Sequence, residues 1–150
     1  ARLAAPFSVH IHGDFNLDNV IYDPAEKKIH FIDLHRSRYM DYVQDVSVFM
    51  ISNYRLQVQD IPVRRRLAGV ACDVHAVASK FARSQNDKTY EYRLALGLAR
   101  SFASSTRFVF DKSHARRMFI RARFLMETAL SCPEGREARF KLPIRELFFD

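Results

Sequence analysis

The sequence predicts an α+β fold that is mainly helical and carries a small β-hairpin near its start. Short apolar segments that favour strands flank a turn within the first 33 residues. From about residue 41 onward, apolar residues instead recur at the spacing of helices. The chain has 150 residues, of which 48% are hydrophobic, so it has enough apolar material for a single domain with its own core.

Three segments near the start of the chain favour strands: residues 7–12, 19–22 and 28–32. Asp23–Lys27 separates the last two of them, and its Asp-Pro pair favours a turn. We therefore predict a β-hairpin. Its two outer ends would hold Asn19 and Asp33 side by side, although the two residues are far apart in sequence.

Four stretches of the remaining chain place apolar residues on one helical face. The first stripe is Val43, Val46, Phe49 and Met50, and the second is Leu67, Val70, Ala71, Val74, Val77, Ala78 and Phe81. The third, within residues 88–105, is Leu94, Leu98 and Phe102, and the fourth, within residues 114–130, is Met118, Ala122, Leu125, Met126 and Ala129. Asp60 and Pro62 signal the start of the second helix. We expect the stripes to form the core and His75 and His114 to lie at the surface.

The polar residues around the hairpin follow the order of a phosphotransfer site. His12 stands two residues before Asp14, and Asn19 follows Asp14 by five residues. Asp33 ends the next strand. In phosphoryl transfer one carboxylate orients the attacking hydroxyl and accepts its proton, while an amide oxygen and a second carboxylate hold the magnesium ions on the nucleotide phosphates. The alternative is a polar turn between two strands, but the joint register of these separated residues favours the phosphotransfer site.

The sequence motifs of this segment resemble those of the aminoglycoside phosphotransferase and choline kinase family. The similarity lies in His-Gly-Asp-Phe at 12–15, Asn-Val-Ile-Tyr-Asp at 19–23 and Ile-Asp-Leu at 32–34. That family has a protein-kinase-like fold and phosphorylates small molecules with ATP and Mg²⁺. The resemblance implies that residues 1–150 form the mainly helical C-terminal lobe of such a fold, with the hairpin carrying the catalytic and metal loops.

The resemblance also assigns roles to single residues. Asp14 corresponds to the catalytic base, and His12 corresponds to a support that fixes the loop. Asn19 and Asp33 correspond to the magnesium ligands that hold the nucleotide cofactor. Asp45 lies in Tyr-Val-Gln-Asp-Val, which is similar to a further family element whose acid opens a helix and braces the catalytic loop.

Nearby charged residues carry weaker signals. Asp18 adds a carboxylate where many relatives have a small residue, and it either joins the metal shell or faces water. We favour water. His35 and Arg36 follow Asp33 directly, where a charged side chain can reach the transferred phosphate or the acceptor.

The sequence lacks half of the parts of a nucleotide-binding site. A kinase-like small lobe needs a Gly-rich phosphate loop and a strand lysine, and only seven residues precede Ser8. The four glycines are too far apart to form such a loop: Gly13, Gly69, Gly97 and Gly135. We therefore expect the parent chain to contain an N-terminal lobe that residues 1–150 lack, and we expect the isolated chain to be inactive.

The distribution of charge bears on the acceptor. Residues 1–60 hold six Lys and Arg against eight Asp and Glu, whereas residues 61–150 hold eighteen against nine. A polycationic aminoglycoside requires a cleft lined with acids, and acids are scarce after Asp60. We predict a neutral or anionic small-molecule acceptor. A solvated basic face is the alternative for runs such as Arg64–Arg66.

Other classes of protein are less favoured. The basic segment Arg116–Phe124 contains aromatic residues and is compatible with nucleic-acid binding, but it is also an ordinary amphipathic helix without a recognised binding signature. The alternative of a catalytically silent scaffold is less favoured because Asp14, Asn19 and Asp33 are all present. No apolar run reaches the roughly eighteen residues of a membrane span, so we expect a cytoplasmic protein with no membrane partner.

Overall fold

The computed structural model describes residues 4–149. Within them the chain forms four strands and five α-helices, so the protein is α+β and mostly helical, as predicted. The strands are β1 (Val9–Ile11), β2 (Val20–Asp23), β3 (Lys28–Phe31) and β4 (Arg38–Met40). The helices are α1 (Val43–Tyr54), α2 (Ile61–Ser84), α3 (Tyr90–Ser105), α4 (Lys112–Leu130) and α5 (Ile144–Phe148). None of the helices within these residues is long and apolar enough to cross a membrane.

The four strands form two nested antiparallel pairs. β2 and β3 are the predicted hairpin, with Val20 opposite Phe31. β1 pairs with β4, and Val9 lies opposite Met40. This outer pair ties together both ends of the segment 12–37. The loops before and after the hairpin are therefore held next to each other.

Side-chain caps determine where two of the long helices begin. Asp60 accepts a hydrogen bond from the Val63 N–H at 2.9 Å, and Pro62 lies in the first turn of α2, which confirms the predicted start. Asp111 accepts a hydrogen bond from the His114 N–H at 2.7 Å and begins α4 slightly earlier than predicted. In both helices the carboxylate satisfies an N–H group that has no partner within the helix.

The core lies between the four long helices. Its most deeply buried side chains have no exposed surface: Met50, Leu94, Leu98, Phe102, Met118 and Leu125. α1 and α3 approach closely because α3 has no side chain at the crossing point. A Cβ at Gly97 would lie only 3.0 Å from the Ser47 Oγ. The predicted stripe of α3 is thus confirmed as the centre of the core.

Two of the other predicted stripes differ from the buried faces. α2 is buried through four small residues: Ala68, Ala71, Ala78 and Ala82. Val77 was expected in the core but is 71% exposed, and Met126 of α4 is 42% exposed. Because small side chains allow helix axes to approach closely, the contact face of α2 follows its alanines and not its larger residues.

His75 and His114 are partly buried, so the prediction that both lie at the surface is wrong. The His75 ring stacks on Tyr90 with 5.8 Å between the centroids, and the His114 ring stacks on Tyr54 at 5.5 Å. Burial lowers the pKa of both imidazoles below the usual value. The cause is desolvation, which disfavours the charged form.

Candidate active site

The loop between β1 and β2 reverses direction at Gly13. Its φ of +86° lies in the left-handed region that favours glycine. A Cβ at this position would lie 2.2 Å from the backbone carbonyl oxygen of Arg36. The loop after β1 and the loop after β3 are therefore in direct contact, and a larger residue at position 13 would force them apart.

Asp45 connects this loop to the first turn of α1. Its carboxylate accepts hydrogen bonds from the backbone N–H of His12 at 2.6 Å and from that of Gly13 at 3.0 Å. Burial raises the pKa of Asp45 above its usual value, and the two backbone hydrogen bonds act in the opposite direction. The carboxylate is thus a bidentate acceptor for the backbone that precedes Asp14.

His12 connects the same loop to the hairpin. The side chain is buried, and its Nε2 donates to the Ile32 carbonyl oxygen at 2.9 Å. Its Nδ1 faces the Asp14 N–H at 3.4 Å. His12 therefore lies between the backbone of Asp14 and the residue that precedes Asp33.

Two neighbours orient the Asp14 carboxylate. The Asn16 side-chain amide donates to Oδ1 at 3.2 Å, and Arg36 pairs with Oδ2 at 3.1 Å. The side chain is 27% exposed and lines a cavity. A carboxylate has about four acceptor positions. These contacts therefore leave capacity for a further donor from the cavity.

Asn19 and Asp33 occupy the two outer ends of the hairpin. Asn19 is buried, and its amide nitrogen donates to the Asp14 carbonyl oxygen at 2.9 Å. The Ile32 N–H donates to the Asn19 carbonyl oxygen at 3.1 Å, which places Asp33 directly after a paired position. Asp33 has a φ of +60°, and its carboxylate lies 2.5 Å from the His35 Nδ1. The structure thus brings Asp14, Asn19 and Asp33 to one end of the hairpin.

The donor set at this end fits Mg²⁺. The described residues contain no group of three or more His, Cys, Asp or Glu side chains that could hold a metal ion. Magnesium, however, usually binds only one or two carboxylates and fills its other positions with waters and nucleotide phosphates. The Asn19 amide oxygen and the Asp33 carboxylate are ligands of this type, and their number suits such a shared site.

A cavity of 570 Å³ opens beside Asp14. Sites for small molecules have volumes of about 300–1,000 Å³. The basic lining comes from Arg36, Arg55 and Arg107, which belong to three separate elements. Serine hydroxyls add polar groups from α1 and α3: Ser52, Ser101, Ser104 and Ser105. The cavity therefore joins the Asp14 carboxylate to a wall of arginine and serine.

Asp18 lines the same cavity but faces water, as favoured from the sequence. Its side chain is 73% exposed and pairs with Arg55 at 3.1 Å. His35 contacts the Asp33 carboxylate, and Arg36 contacts the Asp14 carboxylate. Both basic residues therefore lie next to a predicted site carboxylate. A contact of either residue with a phosphate stays a prediction.

Sequence reasoning missed Arg55, Arg107 and the cavity serines. They lie on or directly after α1 and α3, far from Asp14 along the chain, and only the fold brings them together. The basic excess after residue 60 includes Arg107 but gave no signal for Arg55, which lies in the more acidic first part of the chain. A second cavity, of 510 Å³, is lined by Arg64, Arg65 and Arg117 and contains none of the predicted site residues.

The basic segment of α4 packs into the fold. Met118 and Ala122 are buried. Arg121 donates to the Leu147 carbonyl oxygen at 2.8 Å, and its guanidinium lies 5.1 Å from the centre of the Tyr54 ring. These contacts favour an amphipathic helix with its own structural role over a nucleic-acid-binding surface.

A comparison with protein families decides the class of this protein. Residues 1–96 match the model of APH, the phosphotransferase enzyme family. The chain belongs to this family. The match confirms the resemblance seen in the sequence, and it includes the loop after β1, the hairpin, α1 and α2. No curated protein and no solved structure gives a significant match to the chain. Membership of the phosphotransferase enzyme family implies a kinase-like fold.

Proposed function

We propose that the chain is the catalytic lobe of an ATP-dependent phosphotransferase that acts on a hydroxyl of a neutral or anionic small molecule. One observation carries the proposal. The Asp14 carboxylate lines the cavity, while the backbone carbonyl of the same residue is bonded to Asn19. Asp14 thus adjoins both the space for an acceptor and the candidate magnesium ligands. Family membership supports the class of reaction.

In this mechanism Asp14 acts on the acceptor. A hydroxyl in the cavity donates a hydrogen bond to the Asp14 carboxylate, its oxygen attacks the γ-phosphorus of ATP, its proton passes to Asp14, and ADP leaves. The contacts with Asn16 and Arg36 hold the carboxylate in one orientation. A positioned base of this kind typically contributes a factor of about 10²–10⁴ to the rate.

The rest of the loop serves to position the reacting groups. Asn19 and Asp33 are the residues that would hold Mg²⁺, which neutralises charge on the nucleotide phosphates when it is bound. His12 fixes the loop against Ile32, and Asp45 fixes its backbone from α1. Phosphoryl transfer depends mainly on positioning and charge stabilisation, so these supports act by holding the reacting groups in place.

We also propose that this lobe is the C-terminal lobe of the kinase-like fold and that an N-terminal lobe packs on the hairpin. The support is a patch of apolar side chains on one face of the hairpin, Tyr22, Ile29 and Phe31, which are 52–60% exposed. Patches of this kind mark interaction surfaces. On this proposal residues 1–150 alone transfer no phosphate, and the full protein does.

The test is transfer of labelled γ-phosphate from ATP to a panel of hydroxyl compounds by the full protein. We expect transfer to require Mg²⁺, and we expect Asp33→Asn to remove most of it. Asp23→Asn is the matched control, because Asp23 ends β2 next to the hairpin turn and accepts a hydrogen bond from the Ala25 N–H at 2.8 Å with an oxygen that asparagine retains. Equal activity of the Asp33 variant and the control would contradict the metal assignment.

Two further outcomes discriminate the alternatives. A full protein that binds no nucleotide would be a catalytically silent scaffold. Strong turnover by residues 1–150 alone would refute the two-lobe arrangement but not the phosphotransferase reaction.

A further inference from the structure

The cavity beside Asp14 has an excess of positive charge. Three guanidinium groups, those of Arg36, Arg55 and Arg107, face it together with the carboxylates of Asp14 and Asp18. Arg36 pairs with Asp14, and Arg55 pairs with Asp18. Among residues 4–149 no carboxylate pairs with Arg107. A cationic acceptor would therefore meet net repulsion in this space, whereas an anionic group would meet at least one guanidinium that has no internal counter-ion.

The pair of Arg55 with Asp18 does not block that site. The Asp18 side chain is 73% exposed, while that of Arg55 is 23% exposed. Ion pairs between water-exposed groups contribute little to stability. An incoming anion can therefore replace Asp18 on Arg55, since Asp18 regains its hydration at small cost.

Phe108 organises the two arginines that lie farther from Asp14. The Arg107 guanidinium lies 4.6 Å from the centre of the Phe108 ring, and that of Arg55 lies 5.5 Å from it. A guanidinium that stacks on an aromatic face keeps the N–H groups of its edge available for bidentate hydrogen bonds. The two guanidinium groups beside Phe108 thus offer donors of the kind that bind a planar carboxylate or a phosphate.

The ring and its arginines come from elements that are remote in sequence. Arg55 follows α1, while Arg107 and Phe108 belong to the single turn after α3. Arg36 lies in the turn after β3 and holds Asp14 at the other side of the cavity. The cavity thus has a reactive carboxylate in one part of its lining and a guanidinium pair in another.

We propose that the acceptor is an anionic hydroxy compound whose phosphate or carboxylate group binds between Arg55 and Arg107, with its hydroxyl at Asp14. The proposal rests on the phosphotransferase function given above and narrows the acceptor to anions. Because binding of the anionic group precedes chemistry, loss of the guanidinium pair should weaken acceptor binding. Loss of the Asp14 carboxylate should instead slow the chemical step.

The first test measures anion binding without any transfer reaction. Titration calorimetry of inorganic phosphate and of acetate into the nucleotide-free full protein distinguishes a phosphate site from a carboxylate site. We expect Arg107→Gln to weaken binding of the preferred anion at least tenfold. Arg116→Gln, an exposed arginine of α4 that lines neither cavity, serves as the control and should bind like the unaltered protein. Equal anion binding by both variants would overturn the proposal.

The second test uses related hydroxy compounds of different charge. Glucose, glucose 6-phosphate, gluconate and glucosamine form a set of neutral, phosphorylated, carboxylated and cationic hydroxy compounds. We expect kcat/KM to be at least tenfold higher for one of the anions than for glucose. Arg107→Gln should remove this preference by raising KM, with kcat within about threefold of the unaltered value. A preference for glucosamine, or an equal effect of Arg107→Gln on all four compounds, would overturn the proposal.

The two tests separate this inference from the phosphotransferase function. If no acceptor is phosphorylated but phosphate binding depends on Arg107, the anion site stands and the phosphotransferase proposal fails. If transfer occurs and depends on Asp14 while Arg107→Gln changes neither binding nor preference, the reaction stands and the anionic acceptor is refuted.

Discussion

The hairpin and helix α3 have opposite surroundings. Every residue of β3 is exposed, whereas Leu94, Leu98 and Phe102 of α3 have no exposed surface. Burial of apolar area supplies most of the favourable free energy of folding. The helical region therefore accounts for most of the stability, and the hairpin contributes little core of its own.

The candidate site lies on the less buried of these two regions, and polar contacts with α1 hold it there. Asp45 binds the backbone of the loop after β1, and the Ser52 Oγ accepts a hydrogen bond from the Leu17 N–H at 3.0 Å. Reactive groups thus need fixed geometry but not a core beneath them. Mutations in the two regions should therefore affect stability and activity differently.

The largest expected effect on stability is in the buried ion network that joins α3 to the start of α1. Arg93 contacts both Asp41 and Asp87, and the Asp87 side chain is fully buried. Arg93→Leu leaves that buried carboxylate without its charged partner and should lower the free energy of unfolding by about 3–5 kcal/mol. Denaturant titration measures the loss. Arg100→Leu, on the exposed side of α3, should change it by only about 0.5 kcal/mol.

Because the Arg93 network lies in the helical region, we expect Arg93→Leu to lower stability without a direct effect on the chemical step. The kcat of the folded Arg93→Leu protein should stay within a few-fold of the unaltered value at a temperature where the variant is folded. A kcat that falls as strongly as in a catalytic variant would show that the network belongs to the active site.

An intermediate effect is expected where the two regions meet. Asp45→Ala removes the acceptor of two backbone N–H groups, and leaving buried donors unpaired costs about 1–3 kcal/mol. Both the unfolding free energy and kcat should fall. Asp45→Asn keeps one acceptor oxygen, so its two values should lie between those of Asp45→Ala and those of the unaltered protein. An Asp45→Ala protein of full stability whose only defect is in the chemical step would refute this structural role.

The smallest expected effect is a pH dependence in the helical region. Burial lowers the pKa of His75, so below the ordinary value of about 6.5 the unfolded chain binds a proton that the folded chain resists. Unfolding free energy should therefore fall as the pH drops from 7 toward 5, by at most about 1.4 kcal/mol per pH unit for this group. His75→Gln should flatten the curve measured by denaturant titration. An unchanged slope would exclude His75 as a source of the dependence.

Features with local causes could be predicted from the sequence. The hairpin follows from its Asp23-Pro24 turn, the start of α2 from Asp60, and the core of α3 from Leu94 and its neighbours. The contacts among the candidate catalytic residues involve short loops, so their spacing alone indicated that they lie close together.

Features that depend on remote pairing could not be predicted in this way. β4 has two exposed residues and exists because it pairs with β1, a partner far along the chain. The buried face of α2 depends on which side chains let α1 approach, which periodicity does not reveal. Arg107 reaches the cavity only through the packing of α3 against α1. For the same reason the basic excess after residue 60 did not reveal that Arg36, Arg55 and Arg107 line one cavity.

The proposed function depends most directly on Asp14 acting in the chemical step and not in folding. The decisive measurement is kcat of the Asp14→Asn full protein with ATP, Mg²⁺ and its best acceptor, paired with the melting temperature of the same preparation. We predict that kcat falls by about 10²–10⁴-fold, while the melting temperature stays unchanged because the Asp14 side chain is partly exposed and lies outside the helical core. An Asp14→Asn protein with undiminished kcat, or one whose activity falls only in proportion to its unfolding, would contradict the account.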